Sequence, residues 1–304
     1  MVMGRINRRT FIKSSALAGF GAGTLTILKA NDGQNPASIP ERLKLSLNAY
    51  SFNKPLRDGS MKISDLIDYC ARTGFDAVDI TGYYFPGYPV VPPDDLISST
   101  KKKAYGLGLE INATGVRNDF TWADPKKRAE EKKHIKEWIV VAQKLGAPTL
   151  RIFAGNQSKE QFSWKERAKW IAEEIRECAD YGKDHGVILA LQNHHDFIKN
   201  AGEIEELLKM IDHEWVGLML DIGSYHVPDP YSEIALNAKY AITWQMKENI
   251  FINDTPVETD YEKIIKIVKQ CGFKGYLPLE TLGEGDPVQK VELLYKKVSS
   301  ILWG

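Results

Sequence analysis

The sequence predicts an α/β fold, a single-domain (β/α)8 TIM barrel over residues 43–304. Eight short apolar runs begin near positions 44, 76, 110, 149, 188, 217, 241 and 276, and each precedes a stretch of helical periodicity. Their spacing averages about 33 residues, close to one strand–helix unit, and the length beyond residue 42 suits a barrel of typically ~250 residues. A doubly wound open sheet is the alternative. Against it, no Gly-x-Gly-x-x-Gly follows the first strand.

The elements follow in order. Residues 43–50 alternate and read as strand one, followed by a helix over 63–73 that Gly74 closes. Strand two, 77–80, runs into Thr81-Gly82-Tyr83-Tyr84-Phe85, and a helix spans about 93–105. Strand three is 110–114. Asp124-Pro125 then opens a long helix whose buried stripe is Ile135, Trp138, Ile139, Ala142 and Leu145. Strand four, 149–153, carries Arg151 in otherwise apolar surroundings, where it needs an anionic partner, either a ligand or a structural carboxylate. Ser163-Trp164-Lys165-Glu166 is a capping box opening the next helix. Further helices span about 201–211, a short stretch after Asp229-Pro230, 260–272, and Asp286-Pro287 to 302.

The most informative stretch is Ile188-Leu189-Ala190-Leu191-Gln192-Asn193-His194-His195-Asp196, where a buried strand emerges into polar residues. Three later strands share this grammar and end at Asp221, Gln245 and Glu280. Parallel barrels place their sites at such C-terminal strand ends. Gln192, Asp221, Gln245 and Glu280 are therefore the expected constellation. Tyr50 and Tyr83, at the ends of strands one and two, are placed to flank a sugar ring.

Residues 1–30 carry Arg5, Arg8, Arg9, Lys13 and Lys29 and no acidic residue. Asn7-Arg8-Arg9-Thr10-Phe11-Ile12-Lys13 precedes about 15 apolar or small residues, which reads as an export signal and not a spanning helix. The paired arginines resemble a twin-arginine signal, which implies the export machinery as a partner and a periplasmic or otherwise exported protein without a membrane anchor after cleavage. Residues 31–42 read as a linker. Net charge is zero with no basic block, which argues against nucleic acid as a partner. Cys70, Cys178 and Cys271 are far apart and read as buried thiols. Homo-oligomerisation is left open.

From residue 43 to 303 these motifs resemble the xylose isomerase-like barrels, the sugar phosphate isomerase/epimerase group. In that family strand five ends Glu-Asn-His, strand six in Asp, strand seven carries a His before a Lys-Asp-like pair, and strand eight ends in Glu. The resemblance implies that these four side chains bind one divalent metal and that the two Glu move a proton between sugar carbons. Here the positions hold Gln192-Asn193-His194, Asp221, Gln245 with Lys247-Glu248, and Glu280. Family epimerases often carry a His three residues after the strand-six Asp, where Ser224 stands, with His226 two further on.

An all-oxygen set of two carboxylates and two amides suits Mn²⁺ or Mg²⁺, with Ca²⁺ also admissible, better than Zn²⁺. Amides accept no proton at neutral pH, so Glu280 is the expected base and His194 or Lys247 the proton donor, with His195 a further candidate. Arg151, Asn193, Tyr50, Tyr83 and His226 are expected to bind substrate. The expected function is isomerisation or epimerisation of a carbohydrate by proton abstraction beside a carbonyl. A lyase or dehydratase acting on a keto-sugar, which needs one base and one acid, and a non-catalytic sugar-binding barrel are the alternatives. A family branch of endonucleases gathers extra His and Asp ligands, which six His here do not supply.

Overall fold

The computed structural model describes residues 43–156 and 162–304. The expected signal and linker, residues 1–42, lie outside the described residues. Among those described, the strands are β1 (Lys44–Asn48), β2 (Ala77–Thr81), β3 (Glu110–Gly115), β4 (Thr149–Ile152), β5 (Ile188–Gln192), β6 (Val216–Asp221), β7 (His226–Val227), β8 (Ala241–Lys247), β9 (Asn249–Ile252), β10 (Thr255–Glu258) and β11 (Tyr276–Glu280). The helices are α1 (Asn53–Asp58), α2 (Ile63–Thr73), α3 (Asp94–Gly106), α4 (Pro125–Leu145), α5 (Trp164–His185), α6 (Ala201–Ile211), α7 (Pro230–Asn237), α8 (Tyr261–Gln270) and α9 (Pro287–Trp303). None is long and apolar enough to cross a membrane.

Eight strands close into a parallel barrel in the order β1-β11-β8-β6-β5-β4-β3-β2, and β2 returns to β1. Closure leaves no free edge, and the outer helices cover the second face of every strand. This is why the strands read as nearly unbroken apolar runs. The helix ends follow local chemistry. The Asp124 carboxylate accepts from the Lys126 N–H at 2.9 Å at the start of α4. Ser163 and Glu166 cap α5 reciprocally. The expected stripe Ile135, Trp138, Ile139, Ala142 and Leu145 is fully buried against the barrel.

Three departures from the expected elements matter for the site. Strand one stops at Asn48 instead of running to Tyr50. The Asn48 side chain accepts from the Tyr50 N–H at 2.8 Å and turns Ala49–Phe52 into a 3-10 helix. The seventh barrel strand continues past Gln245 to Lys247, so both side chains belong to one pleated run. Beyond it, β9 and β10 form a hairpin to which β7 adds in parallel. That hairpin turns through Asn253 and Asp254 at φ +46° and +66°, a conformation short polar residues tolerate better than most. Cys70 and Cys178 are buried as expected, whereas Cys271 is only half-buried.

Gly182 marks the tightest approach of α5 to the strand it feeds. A Cβ there would lie 2.6 Å from the backbone oxygen of Val187, an atom that cannot swing aside. Gly182→Ala is expected to cost ~1–3 kcal/mol of overpacking despite the ~1 kcal/mol that Ala gains in helix propensity. Urea unfolding checks this, and an unchanged or raised midpoint would refute the close packing.

Candidate active site

The C-terminal strand ends surround a cavity of about 230 Å³. β5 contributes Gln192 and, just past its end, His194. β8 contributes Gln245 and Lys247, and β11 contributes Glu280. Asn48, Arg151 and Phe153 line it from the first and fourth strands, with Tyr50, Tyr83 and Arg117 at the rim. A larger groove of about 580 Å³ lies on the outer helices beside Val91, Lys136 and Tyr181. The strand-end cavity is the candidate site, because the barrel's buried polar side chains converge there.

Strand register explains the arrangement. Asp221 pairs with Gln245 across β6 and β8, and Glu280 pairs with Lys247 across β11 and β8. The Lys247 ammonium donates to Glu280 Oε1 at 2.7 Å and lies 3.4 Å from Asp221 Oδ2. Gln192 Nε2 donates to the same Asp221 Oδ2 at 2.7 Å, and the Gly223 N–H donates to Oδ1 at 2.9 Å. Asp221 and Glu280 are 1% and 2% exposed. Burial works to discharge Lys247, but the two carboxylates outweigh it and push its pKa up. Burial also pushes the Glu280 carboxyl up, against the pull of Lys247. Two buried acceptors, Glu280 Oε2 and Gln245 Oε1, have no hydrogen-bond partner among the described residues.

Most of the expected site residues meet at this cavity: Gln192, Gln245, Glu280, Lys247, His194, Arg151, Tyr50 and Tyr83 all line it. Asp221 sits beneath them, in contact with Gln192 and Lys247. Two expected substrate contacts are elsewhere. Asn193 is fully buried and clamps β5 to β6, donating to the Asp221 carbonyl at 3.0 Å and accepting from the Asp221 N–H at 2.7 Å. His226 lies on β7, outside the cavity, bonded to Asp254 at 2.8 Å and stacked between His195 and Phe251. Because β5 ends at Gln192, His194 and His195 do not alternate. Their rings stack at 4.8 Å, and Asp196 holds His194 Nδ1 at 2.9 Å. Burial lowers the pKa of both imidazoles, against the pull of Asp196.

Arg151 has no ion-pair partner among the described residues. Its Nη1 donates to the Val116 carbonyl at 2.6 Å, and its guanidinium packs 4.2 Å over the Phe153 ring. Sequence reasoning missed Asn48, Asp79 and Arg117. Asn48 and Arg117 stand at or just after strand ends. Asp79 is a charged residue inside a buried strand, a signal as plain as Arg151. Asn48 Nδ2 donates to Asp79 Oδ2 at 3.0 Å. Burial pushes the Asp79 carboxyl up to about 6, against the pull of Arg151.

The four side chains of the expected metal set are assembled, but they do not present four open oxygens. Asp221 Oδ2 already faces an ammonium and an amide N–H, Glu280 Oε1 faces the same ammonium, and Gln192 turns its donor toward Asp221. Gln245 Oε1 and Glu280 Oε2 are buried without a partner among the described residues, but an ammonium already stands between the two carboxylates. As arranged, this set does not fit a resident divalent cation.

Residues 67–297 match the family described as xylose isomerase-like TIM barrel. The chain belongs to that family. No curated protein matches its sequence. Among solved structures it is similar to the D-psicose 3-epimerase of Clostridium cellulolyticum H10 solved with D-tagatose, with a TM-score of 0.67 and 18% identity over 86% of this chain and 94% of that one. It is also similar to the 3-keto-D-glucoside 4-epimerase of E. coli, at 0.69 and 13% over 85% and 100%. The IOLI protein, solved with a zinc atom bound, superposes at 0.69 with 16% identity over 86% and 98%. At these identities the likeness is one of fold.

Asp79 yields a signed prediction. Its carboxyl titrates near 6 when folded, above its ordinary value of 3.8, so the folded protein holds that proton more tightly. Stability from this group is full below its unfolded pKa of 3.8 and is lost as the pH rises through the folded value of about 6. Asp79→Asn should therefore come closest to wild type at about pH 3 and exceed it by ~1–3 kcal/mol at pH 7.5. Unfolding midpoints at both pH values test this. A difference that does not change with pH would refute the raised carboxyl.

Proposed function

We propose that the chain is a carbohydrate-acting enzyme that removes the proton beside a sugar carbonyl, with Glu280 as its base. The observation that carries this is Glu280 Oε2, a buried carboxylate oxygen without a partner on the wall of the cavity. Lys247 holds the other oxygen, which fixes the carboxylate and leaves Oε2 free to take a proton. Family membership and the epimerase activities of similarly folded proteins support the reaction class. The aromatic faces of Tyr50, Tyr83 and Phe153 beside polar groups suit a sugar's alternating apolar and hydroxyl surface. A cavity of about 230 Å³, below the usual ~300–1,000 Å³ of small-molecule pockets, favours one sugar ring over an oligosaccharide. Gln245 Oε1, also unpartnered, is placed to accept a substrate hydroxyl. The leader in residues 1–30 supports placing this activity in an exported protein.

In the step itself, the C–H bond breaks and its proton passes to Glu280 Oε2. The freed electron pair forms the C=C bond, and the carbonyl pair moves onto oxygen. For isomerisation, the hydroxyl proton on the deprotonated carbon passes to the enolate oxygen, and that hydroxyl oxygen's electron pair forms the new C=O. The C=C pair takes the proton back from Glu280 onto the former carbonyl carbon. Epimerisation at one carbon needs a base on each face, and Gln192 and Gln245 are amides. That observation favours a second reading beside the first. After the same proton abstraction, the enolate of a keto-sugar expels its β-substituent, with His194 as the acid at the cavity wall.

Ketohexoses and 3-keto-glycosides incubated with the protein in D2O should exchange the proton beside the carbonyl, seen by NMR. Glu280→Gln should slow this by ~10²–10⁴. Because the base must be ionised and burial raises its pKa, the rate should climb with pH along a limb above the ordinary glutamate range. Sugar binding without exchange or product across the panel would sink the enzymatic reading and leave a binding protein.

A further inference from the structure

We infer that Lys247 is the resident cation of this site, that its ammonium takes the place of a divalent metal, and that the chain acts without one. The first ground is geometric. Lys247 Nζ is 2.7 Å from Glu280 Oε1 and 3.4 Å from Asp221 Oδ2, so it bridges the two carboxylates of the expected metal set. Strand register enforces this position. Lys247 stands opposite Glu280 and two residues beyond Gln245, on the same inward side of β8.

The second ground is the donor set. A divalent ion bound here would need Gln192 and Gln245 to turn oxygens toward it. Gln192 instead donates N–H to Asp221 Oδ2, and turning that amide over would set its oxygen against the carboxylate. The third ground is charge. Lys247 already places a positive charge between Asp221 and Glu280, and Arg151 places a second on the same cavity, within reach of Asp79. A dication brought beside that ammonium meets a like charge at short range in a buried site, which disfavours it.

The inference rests on the proposed reaction only for what Lys247 does to substrate. As Glu280 takes the proton and the carbonyl electron pair moves onto oxygen, the ammonium is the fixed positive charge that receives the developing enolate. It performs the electrostatic part of a metal's task without exchangeable coordination.

The test reads metal binding first and turnover second. The full chain, stripped by chelation, is titrated with Mn²⁺ while the spin-resonance signal of free ion is followed. Wild type should show no saturable site up to ~100 μM, and Lys247→Met should bind at least ~10-fold tighter. Lys247→Arg, which keeps the charge, should still exclude the ion and serves as the variant to read if Lys247→Met does not fold. One Mn²⁺ bound to wild type in that range, and lost in Asp221→Asn, would overturn the assignment. In D2O, wild-type exchange should survive EDTA and fall ~100-fold in Lys247→Met. Exchange abolished by EDTA and restored by Mn²⁺ would also overturn it. A chain that excludes Mn²⁺ and exchanges no proton would refute the proposed reaction and leave the assignment of Lys247 intact.

Discussion

The site depends on one buried ion triplet, Lys247 between Asp221 and Glu280. Each carboxylate alone at the top of the barrel would be an uncompensated buried charge, and each would draw a proton. The ammonium supplies that counter-charge to both, at distances of 2.7 and 3.4 Å. Everything around it is arranged to leave no other choice. Gln192 donates to Asp221 Oδ2 and the Gly223 N–H to Oδ1. Asn193 ties the backbone of β6 to the end of β5, which holds Asp221 at its height. Glu280 Oε2 and Gln245 Oε1 are left buried without a partner among the described residues.

A second charged cluster stands opposite. Arg151 has no carboxylate in ion-pair contact, yet it is nearly buried, held by the Val116 carbonyl and the Phe153 ring. Asp79, capped by Asn48, lies within its field with a carboxyl displaced upward by burial. The cavity thus has an anionic base on one wall and a guanidinium on another. A polar ligand with a carbonyl and neighbouring hydroxyls matches that distribution better than an apolar or strongly cationic one.

The fold was legible because closed parallel barrels are buried on both strand faces, so hydrophobic runs and spacing alone define the units. The helix starts at Asp124, Ser163, Asp229, Asp260 and Asp286 were legible from capping chemistry. What sequence pattern could not supply is where a strand stops. Strand one was read two residues too long because nothing in Asn48-Ala49-Tyr50 announces that the Asn side chain will capture the next turn. The strand carrying Gln245 was read too short because Lys247 looks like a loop residue until its partners are known. The same blindness misplaced His226 and Asn193. A polar residue near a strand end points either into the barrel or into its wall, and only register decides. Asp79 carries a signal of its own, since a carboxylate inside an apolar strand is as informative as an arginine, whereas Arg117 lies in a loop where a charge signals nothing.

The two amides at Gln192 and Gln245 are best understood together with Lys247 rather than as losses. The resemblance places a Lys after strand seven in the family as well, so the lysine alone does not set this chain apart. The carboxylate count does. With three carboxylates, an ammonium and a dication each find counter-charge. With two, they compete for the same oxygens, and the covalently tethered ammonium has paid its positional entropy during folding whereas an ion must be captured from dilute solution. Replacing the third carboxylate by an amide therefore removes a base and shifts the cation preference in one substitution. Both consequences favour single-base chemistry around a fixed positive charge. A barrel that keeps the family's strand ends while exchanging its cation keeps the geometry of proton abstraction beside a carbonyl and gives up symmetrical proton transfer between two faces of a carbon.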